Sequence, residues 1–335
     1  MNYYKSNGKF LLTGEYLVLK GATALALPLM KGQSLEAEIL DSNENLIYWN
    51  AFYRTTDNGQ QSTEHFDKLN HFDRLSDHKV HNHWFSAVLD KSDFSIKSTD
   101  DKEKAERLSD ILSKVKMFNE NIFTVPHDYS FSTHLDFDPQ WGLGSSSTLI
   151  NNIAEWAEIN PYRLLDCTFK GSGYDIACAK SNHPIFFKVM SDNPQAMSQN
   201  IENANFDPIF KDNLYFVYQG HKQSSAREIK AFLSKEKNYD KEIKSISEIS
   251  KMLPTIQTLR DFCYFLKIHE EITASCLEQK RLKKYFNDFE GEIKSLGAWG
   301  GDFFLVATEW DEKNVKKYFD SKDLDIVFKY QDIVL

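Results

Sequence analysis

The chain has 335 residues, of which 41% are hydrophobic and 14% are aromatic. This length suffices for two domains with separate cores, and the composition is that of a globular protein, which excludes a disordered chain. Lys and Arg total 40 against 49 Asp and Glu, so the formal net charge is −9. Such an acidic balance disfavours nucleic acid as a partner, and we expect none.

Two further features indicate where the protein resides. The cysteines form no C-x-x-C pair, so we expect buried thiols in a reducing compartment at Cys167, Cys178, Cys263 and Cys276. The first residues contain no apolar signal segment, and no stretch approaches the length of a membrane span. The sequence therefore predicts a cytoplasmic protein with no membrane partner.

Hydropathy periodicity and turn residues predict the elements in chain order. Strands are predicted over residues 10–12, 16–19, 33–40, 46–53, 93–97, 130–137, 184–189, 214–218, 303–307 and 325–328. Helices are predicted over residues 101–118, after the serines at 145–147, from about 225, and over 241–252, 256–277, 281–293 and 312–319. A polar stretch that begins at Ser191 predicts two domains, residues 1–190 and 191–335.

The segment from Gly142 to Ser147 reads Gly-Leu-Gly-Ser-Ser-Ser, and apolar residues at helical spacing follow it. We expect Ser145, Ser146 or Ser147 to cap this helix with its hydroxyl, while other N–H groups of the first turn stay unpaired. Gly142 and Gly144 permit positive φ and a close approach of a ligand to the backbone. These features favour an anion site, most naturally for phosphate, where serine hydroxyls could also ligate Mg²⁺. The alternative is a solvated turn that merely caps a helix.

Three better-known loops are excluded by the same residues. No Lys-Ser or Lys-Thr pair follows Gly144, as a P-loop requires. Ser147 stands where the dinucleotide fingerprint has its third glycine. The nucleophile elbow also fails, because it needs a glycine on both sides of a central serine.

Two more glycine turns and one early lysine complete the set of motifs. The turn Gly171-Ser172-Gly173-Tyr174-Asp175 carries a single carboxylate, and the turn Gly297-Ala298-Trp299-Gly300-Gly301 precedes the strand predicted at 303–307. Lys9 lies close to the first predicted strand. The alternatives are that Asp175 only caps its turn and that Lys9 is a solvated lysine at a strand end.

Together these motifs resemble those of the GHMP kinase superfamily, which includes galactokinase, homoserine kinase, mevalonate kinase and phosphomevalonate kinase. Residues 8–18 resemble its first motif, residues 142–147 its ATP-phosphate loop and residues 297–301 its third motif. The turn at 171–177 is similar to the place where mevalonate-type members carry their catalytic aspartate. It also resembles the bacterial branch named for the sequence Gly-Tyr-Asp-Ile-Ala.

The resemblance implies an α+β, two-domain GHMP kinase fold with the active site in the inter-domain cleft. It implies Asp175 as the general base and Lys9 as the cation beside it. ATP phosphates are expected at Gly142, Leu143, Gly144, Ser145, Ser146 and Ser147, with Ser146 bound to Mg²⁺. Substrate contacts are expected at Glu15, Tyr16, Gly297 and Ala298.

The loop from Gly220 to Ser225 bears on the substrate. It resembles a loop that phosphomevalonate kinases use near an anionic group, so Lys222, Ser224 and Ser225 are predicted substrate contacts. A helix start with serines and nearby cations is a second anion site by the same physics as the first. The alternative is an ordinary capped helix. Two anion sites favour an anionic acceptor, either mevalonate or phosphomevalonate.

We therefore expect an ATP- and Mg²⁺-dependent kinase that acts on a small anionic molecule, as a monomer or homodimer. Mevalonate is the first expectation for the acceptor, because Asp175 offers the base that a hydroxyl needs, and phosphomevalonate is the second. Trp299 and Asp302 depart from the family pattern, and so does a missing glutamate that binds a second magnesium in mevalonate kinases. These departures motivate the alternative of a protein that binds nucleotide or metabolite without catalysis.

Overall fold

The computed structural model describes residues 1–54, 81–190, 199–220, 225–235, 237–297, 299 and 301–335. Its strands are β1 (Asn2–Thr13), β2 (Ala24–Leu40), β3 (Leu46–Arg54), β4 (His81–Asp90), β5 (Ile96–Thr99), β6 (Asp128–Leu135), β7 (Ile185–Val189), β8 (Gln199–Asn203), β9 (Leu214–Tyr218), β10 (Glu292–Ser295), β11 (Phe303–Ala307) and β12 (Val327–Lys329). Its helices are α1 (Lys102–Phe118), α2 (Ser145–Trp156), α3 (Pro161–Thr168), α4 (Tyr174–Lys180), α5 (Ser225–Leu233), α6 (Asp240–Met252), α7 (Leu259–Leu277), α8 (Glu312–Asp320) and α9 (Tyr330–Ile333).

The described residues group into two compact units that are both discontinuous in sequence. The first unit comprises Met1–Tyr4 and Ser34–Pro139, and the second comprises Lys5–Gln33 and Gln140–Leu335. The division into domains at 1–190 and 191–335 stays a prediction. Every predicted catalytic and nucleotide-binding residue belongs to the second unit.

The first unit contains a mixed sheet in which the strands follow the order β5-β4-β3-β6-β2. Strands β3 and β6 pair in parallel, with Ile47 opposite Tyr129, and β3 pairs antiparallel with β4. Helix α1 begins after Asp101, whose side chain accepts a hydrogen bond from the N–H of Lys104 at 3.0 Å. The apolar stripe predicted for this helix is buried, which confirms the prediction for Ala105, Leu108, Ile111, Leu112 and Val115.

The second unit contains two sets of paired strands. The first part of β2 pairs with β1 and, antiparallel, with β7, and β7 pairs with β8. A separate antiparallel sheet has the order β10-β11-β9-β12. Side chains of β9 and β11 form one apolar cluster with α8, which includes Val217, Phe304 and Phe319. This packing leaves the ends of β9 and β11 available to contact the loop that precedes α2.

Two predicted elements are wrong, and the backbone gives the reason. Residues 16–19 were expected as a strand, but Tyr16 has φ +60°, and a 3₁₀ turn over Leu17–Lys20 follows it. The helix expected at 281–293 is a short 3₁₀ turn at Leu282–Tyr285 and then strand β10. The strand forms because Glu292–Ser295 pairs antiparallel with β11.

Exposure of the cysteines corrects one expectation. All four are free thiols, with Cys178 and Cys276 buried and Cys263 half-buried, but Cys167 is exposed on α3. The expected burial is therefore wrong for Cys167. Among the described residues, no helix combines the length and apolar character needed to cross a bilayer.

Candidate active site

Helix α2 begins at a glycine, and its first turn is left open. Gly142 and Gly144 have φ of +66° and +103°, and Gly144 is the N-cap. The expected serine cap is wrong, since no side chain in the described residues caps this helix. The Ser147 hydroxyl instead donates backwards to the carbonyl oxygen of Gly144 at 3.0 Å. Because the serines do not satisfy the first N–H groups, these groups and the positive end of the helix dipole form an anion-binding arrangement.

Buried polar side chains fix α2 against strands β1 and β2. The Thr148 hydroxyl donates to Oε1 of Gln33 at 2.7 Å, and the Asn152 amide donates to the Gln33 carbonyl oxygen at 2.9 Å. The Ser6 hydroxyl donates to Oδ1 of Asn152 at 2.6 Å and accepts from the Asn151 amide at 2.8 Å. Sequence reasoning missed this network. Its signal was a set of polar residues, Thr148, Asn151 and Asn152, interspersed with apolar residues of the same helix.

Lys9 connects the loop before α2 with Asp175. Its N–H donates to the carbonyl oxygen of Leu143 at 3.0 Å, so the strand runs beside the loop. Its side chain passes close to Gly144, where a Cβ would lie 3.2 Å from Cγ of Lys9. Nζ of Lys9 then lies 3.6 Å from Oδ1 of Asp175 and 5.6 Å from the centre of the Tyr174 ring. The structure thus brings together the two predicted catalytic residues and the predicted phosphate loop.

Asp175 lies in the first turn of α4, at an edge of the hydrophobic core. The N-cap of α4 is Gly173, with φ +90°, so the alternative that Asp175 caps its turn is wrong. Tyr174 packs against Phe187 with ring centres 6.5 Å apart. Burial and the neighbouring Asp175 carboxylate raise the pKa of Tyr174 well above its usual value, so this phenol stays neutral. Asp175 itself is 24% exposed and Lys9 is 16% exposed, which leaves both reachable from solvent.

Aromatic packing anchors the start of the same loop to the antiparallel sheet. The Trp141 ring lies 6.2 Å from Phe303 and 5.3 Å from Phe328, measured between ring centres. The Tyr218 hydroxyl, at the end of β9, donates to the carbonyl oxygen of Gln140 at 3.2 Å. These contacts fix the first residues of the loop, and the buried polar network of α2 fixes the helix that follows the loop.

Glu15 and Tyr16, both predicted as substrate contacts, lie inside the protein. The Glu15 carboxylate is 3% exposed and forms an ion pair with Lys294, which is itself buried. Nε2 of His269 lies 3.4 Å from the other carboxylate oxygen, but it accepts a hydrogen bond from the N–H of Gly14 at 3.0 Å. Burial and the Lys294 charge lower the pKa of His269 well below its usual value, so this imidazole is neutral.

The third glycine turn is packed through its tryptophan. Trp299 is buried, its N–H donates to the hydroxyl of Tyr16 at 2.8 Å, and its indole N–H donates to the carbonyl oxygen of Lys280 at 3.3 Å. Gly297 has φ +67°. The turn therefore rests on the tyrosine of the first motif.

Some predicted contacts lie outside the described residues. Ala298, Lys222 and Ser224 are in this group, and Ser225 is described only as the first residue of α5, without its side chain. The second anion site therefore stays a prediction.

Comparisons with known proteins identify the fold. No family model and no curated protein matches the sequence. A mevalonate kinase from Methanococcus jannaschii is 16% identical, with a TM-score of 0.64 over 98% of this chain and 96% of that one. A Streptococcus pneumoniae phosphomevalonate kinase in complex with phosphomevalonate and AMPPNP is 14% identical, with a TM-score of 0.66 over 98% of this chain and all of that one (100%).

A sugar-phosphate enzyme has the same architecture. A D-glycero-D-manno-heptose 1-phosphate kinase from Bacteroides thetaiotaomicron is 11% identical, with a TM-score of 0.58 over 99% of this chain and 95% of that one. The prediction of an α+β GHMP kinase fold is confirmed by these similarities.

The buried carboxyl of Glu270 gives the stability of the protein a testable dependence on pH. Burial raises the pKa of this carboxyl to about 8, although Lys294 lies 3.9 Å away and opposes the shift. Because the folded-state pKa lies above the unfolded value, the contribution of Glu270 to stability is complete below about pH 4.5. It is lost as the pH rises through about 8.

We expect Glu270→Gln to remove this part of the pH dependence, because the amide has a similar shape and does not ionise. Stability of the wild-type chain should fall between pH 5 and 8 by at most about 1.4 kcal/mol per pH unit from this group. The measurement is urea unfolding followed by tryptophan fluorescence across that range. Glu271→Gln, at the adjacent exposed residue, is the control and should keep the wild-type slope. Equal slopes in all three proteins would contradict the assignment.

Proposed function

We propose that the protein is a GHMP-type kinase that transfers a phosphoryl group from ATP to a small anionic acceptor. The observation that carries this proposal is the position of Lys9, which contacts the glycine loop through Leu143 and lies 3.6 Å from Asp175. Phosphoryl transfer depends on alignment and on neutralisation of charge more than on covalent help from the protein. A loop for phosphate, a cation and a base in one place meet that requirement.

The proposed ATP site is the segment from Gly142 to Ser147. Its open N–H groups and the dipole of the 12-residue helix α2 favour the phosphates. The positive φ of Gly142 and Gly144 lets a ligand approach the backbone closely. The hydrogen bonds of Thr148 and Asn152 to Gln33 keep the helix in place, so little reorganisation is needed on binding.

The residues also fit Mg²⁺ bound together with the nucleotide. Ser146 is exposed on the first turn of α2, and a hydroxyl oxygen is a hard ligand of the kind that Mg²⁺ takes. Within the described residues, no group of three or more His, Cys, Asp or Glu could hold a metal by itself. This fits an ion that keeps most of its ligands as water and phosphate oxygens. When bound, the ion neutralises the charge that develops on the phosphates.

Asp175 is proposed to accept the proton of an attacking hydroxyl. A carboxylate within hydrogen-bond reach of the acceptor contributes as general base late in the transfer. The Lys9 ammonium would stabilise both this carboxylate and the oxygen that develops negative charge. Tyr174, neutral and half-buried beside Lys9, adds no competing charge.

For the acceptor, we propose mevalonate first and phosphomevalonate second. Asp175 favours a hydroxyl acceptor, which mevalonate supplies. The similarity to a structure that contains phosphomevalonate and AMPPNP supports the second candidate. Lys222, Ser224, Ser225, Gly297 and Ala298 are proposed substrate contacts. Glu15 and Tyr16 are proposed to serve the acceptor side by shaping the turn, because their polar atoms contact Lys294 and Trp299.

An ADP-release assay tests the function directly. The acceptors are mevalonate, phosphomevalonate, homoserine and galactose, each with ATP and Mg²⁺. Turnover with one of the first two supports the proposal and selects the acceptor. Binding of ATP without turnover on any acceptor would instead favour a non-catalytic binding protein.

We also propose that the protein is cytoplasmic, that it is a monomer or a homodimer, and that it has no nucleic-acid or membrane partner.

Asp175→Asn should lower kcat by about 10²–10⁴, because the amide cannot accept the proton. Affinity for AMPPNP, measured by calorimetry, should change little, since the phosphate loop is intact. The control is Asp207→Asn, at a carboxylate 75% exposed that pairs with Lys211, and its kcat should match the wild type. A kcat for Asp175→Asn within twofold of the wild type would remove Asp175 from the proposed chemistry.

Lys9→Met should lower kcat by about 10²–10³, because a charge aimed at the reacting oxygens is lost. Lys5→Met offers a matched control, since Lys5 lies on the same strand and is exposed. Steady-state rates on the acceptor found in the panel give the comparison. Similar losses in both variants would mean that the charge acts at long range and not beside Asp175.

A further inference from the structure

A small cavity lies at the end of β11 that is farther from the proposed phosphate loop. It has a volume of about 260 Å³ and is partly open to solvent. Its walls come from the first turn of α7, the turn before β10 and the residues around the end of β11. Phe303 begins β11 beside Trp141, and Ala307 ends it at the cavity, so about 14 Å of strand separates the two places. The cavity is therefore distinct from the proposed active site.

Hydrogen bonds and a close backbone contact fix the walls of this cavity. The buried hydroxyl of Thr308 donates to the carbonyl oxygen of Glu290 at 2.6 Å and accepts from the N–H of Trp310 at 3.2 Å. The indole N–H of Trp310 donates to Oε2 of Glu290 at 3.2 Å. Gly291 lies so close to β11 that a Cβ there would overlap the carbonyl oxygen of Ala307. The fold itself thus forms the cavity, and little ordering is needed when a ligand binds.

Two residues of α7 give the cavity an apolar surface. Leu259 is buried, and Cys263 is half-buried with its thiol 3.7 Å from the carbonyl oxygen of Ala307. Burial raises the pKa of this thiol to about 12, and the carboxylates of Glu292 and Glu309 act in the same direction. The thiol therefore stays neutral and unreactive near pH 7, so it offers a ligand apolar contact.

Three charged side chains also line the cavity, and none of them forms an ion pair with another described residue. They are Arg260 on α7, Glu290 before β10 and Glu309 after β11. The two carboxylates would repel an anion, and the guanidinium would repel a simple cation. A ligand that carries both charges can use all three groups. Its carboxylate can pair with Arg260, while its ammonium can lie between the carboxylates and against the indole of Trp310.

We propose that this cavity binds a small zwitterion with an apolar body, which is the chemistry of a free α-amino acid. The volume of about 260 Å³ is below the roughly 300–1,000 Å³ of sites for drug-sized ligands, so the occupant has to be small. The charges at the rim match its two ionised groups, and Leu259 and Cys263 contact its side chain. This inference does not rest on the proposed kinase activity, because the site lies apart from the phosphate loop.

The test measures the binding of L-leucine by calorimetry on the full chain, without nucleotide. Leucinamide lacks the carboxylate and N-acetyl-leucine lacks the ammonium, while both keep the apolar side chain. Each analogue should bind at least about tenfold more weakly than leucine, since each loses a charge-assisted contact. Equal affinity for leucine and for either analogue would overturn the zwitterion assignment. Absence of leucine binding at millimolar concentration would overturn it as well.

Two variants locate the site. Arg260→Met should weaken leucine binding about tenfold and leave leucinamide unchanged, because that analogue has no carboxylate for the guanidinium. Glu309→Gln should weaken leucine binding and leave N-acetyl-leucine unchanged, because that analogue has no ammonium. Both residues are exposed, so both variants should fold, which urea unfolding verifies.

Lys267→Met is the matched control for the loss of one positive charge. Lys267 is exposed on the same helix, two turns beyond Arg260, and it does not line the cavity. Its affinity for leucine should equal that of the wild type. The same affinity in Arg260→Met and Glu309→Gln would place leucine elsewhere and overturn the proposal. Failure of the proposed kinase activity would not change these results, because no nucleotide is present.

Discussion

The contact of Lys9 with two separate turns is the constraint on which the site depends. Its N–H binds the carbonyl oxygen of Leu143, and its ammonium lies 3.6 Å from Asp175. The backbone hydrogen bond sets the register between strand β1 and the loop. The side chain then passes Gly144, where any larger residue would push it aside. One residue therefore sets the distance between the proposed phosphate loop and the proposed base.

Buried polar side chains connect the elements around this contact. Each would lower the stability of the fold if it lost its partner. The pair of Glu15 with Lys294 joins the first motif to β10, and both side chains are almost fully buried. Exchange of such a pair for apolar residues is often neutral for stability, so its value lies in specifying one arrangement. Here that arrangement places the turn after β1, and with it the strand that carries Lys9. Similarly, Gln33 accepts from Thr148 and Asn152, so α2 cannot slide along β2 without breaking both bonds.

Local patterns predicted much of the fold. The period of α1 identified its buried face, and the continuous apolar runs at 214–218 and 303–307 gave β9 and β11 with their observed bounds. Strand β10 could not be found in this way. Its sequence, Glu-Ile-Lys-Ser, is fully buried although three of its residues are polar. The reason is that Lys294 finds its carboxylate partner 279 positions away, at Glu15. A pattern of hydropathy contains no information about such a partner.

In the candidate site too, the sequence pattern predicted one feature correctly, the glycine turn, and another wrongly, the helix cap. Glycine and serine at 142–147 indicated an anion loop, but the serine cap was wrong, because a glycine with positive φ already begins the helix. That difference matters for binding. A serine cap would have used one of the N–H groups that a phosphate needs, whereas Ser147 bonds to the Gly144 carbonyl oxygen and leaves them open. The proposed anion site thus depends on backbone conformation, which glycine permits and the neighbouring residues enforce.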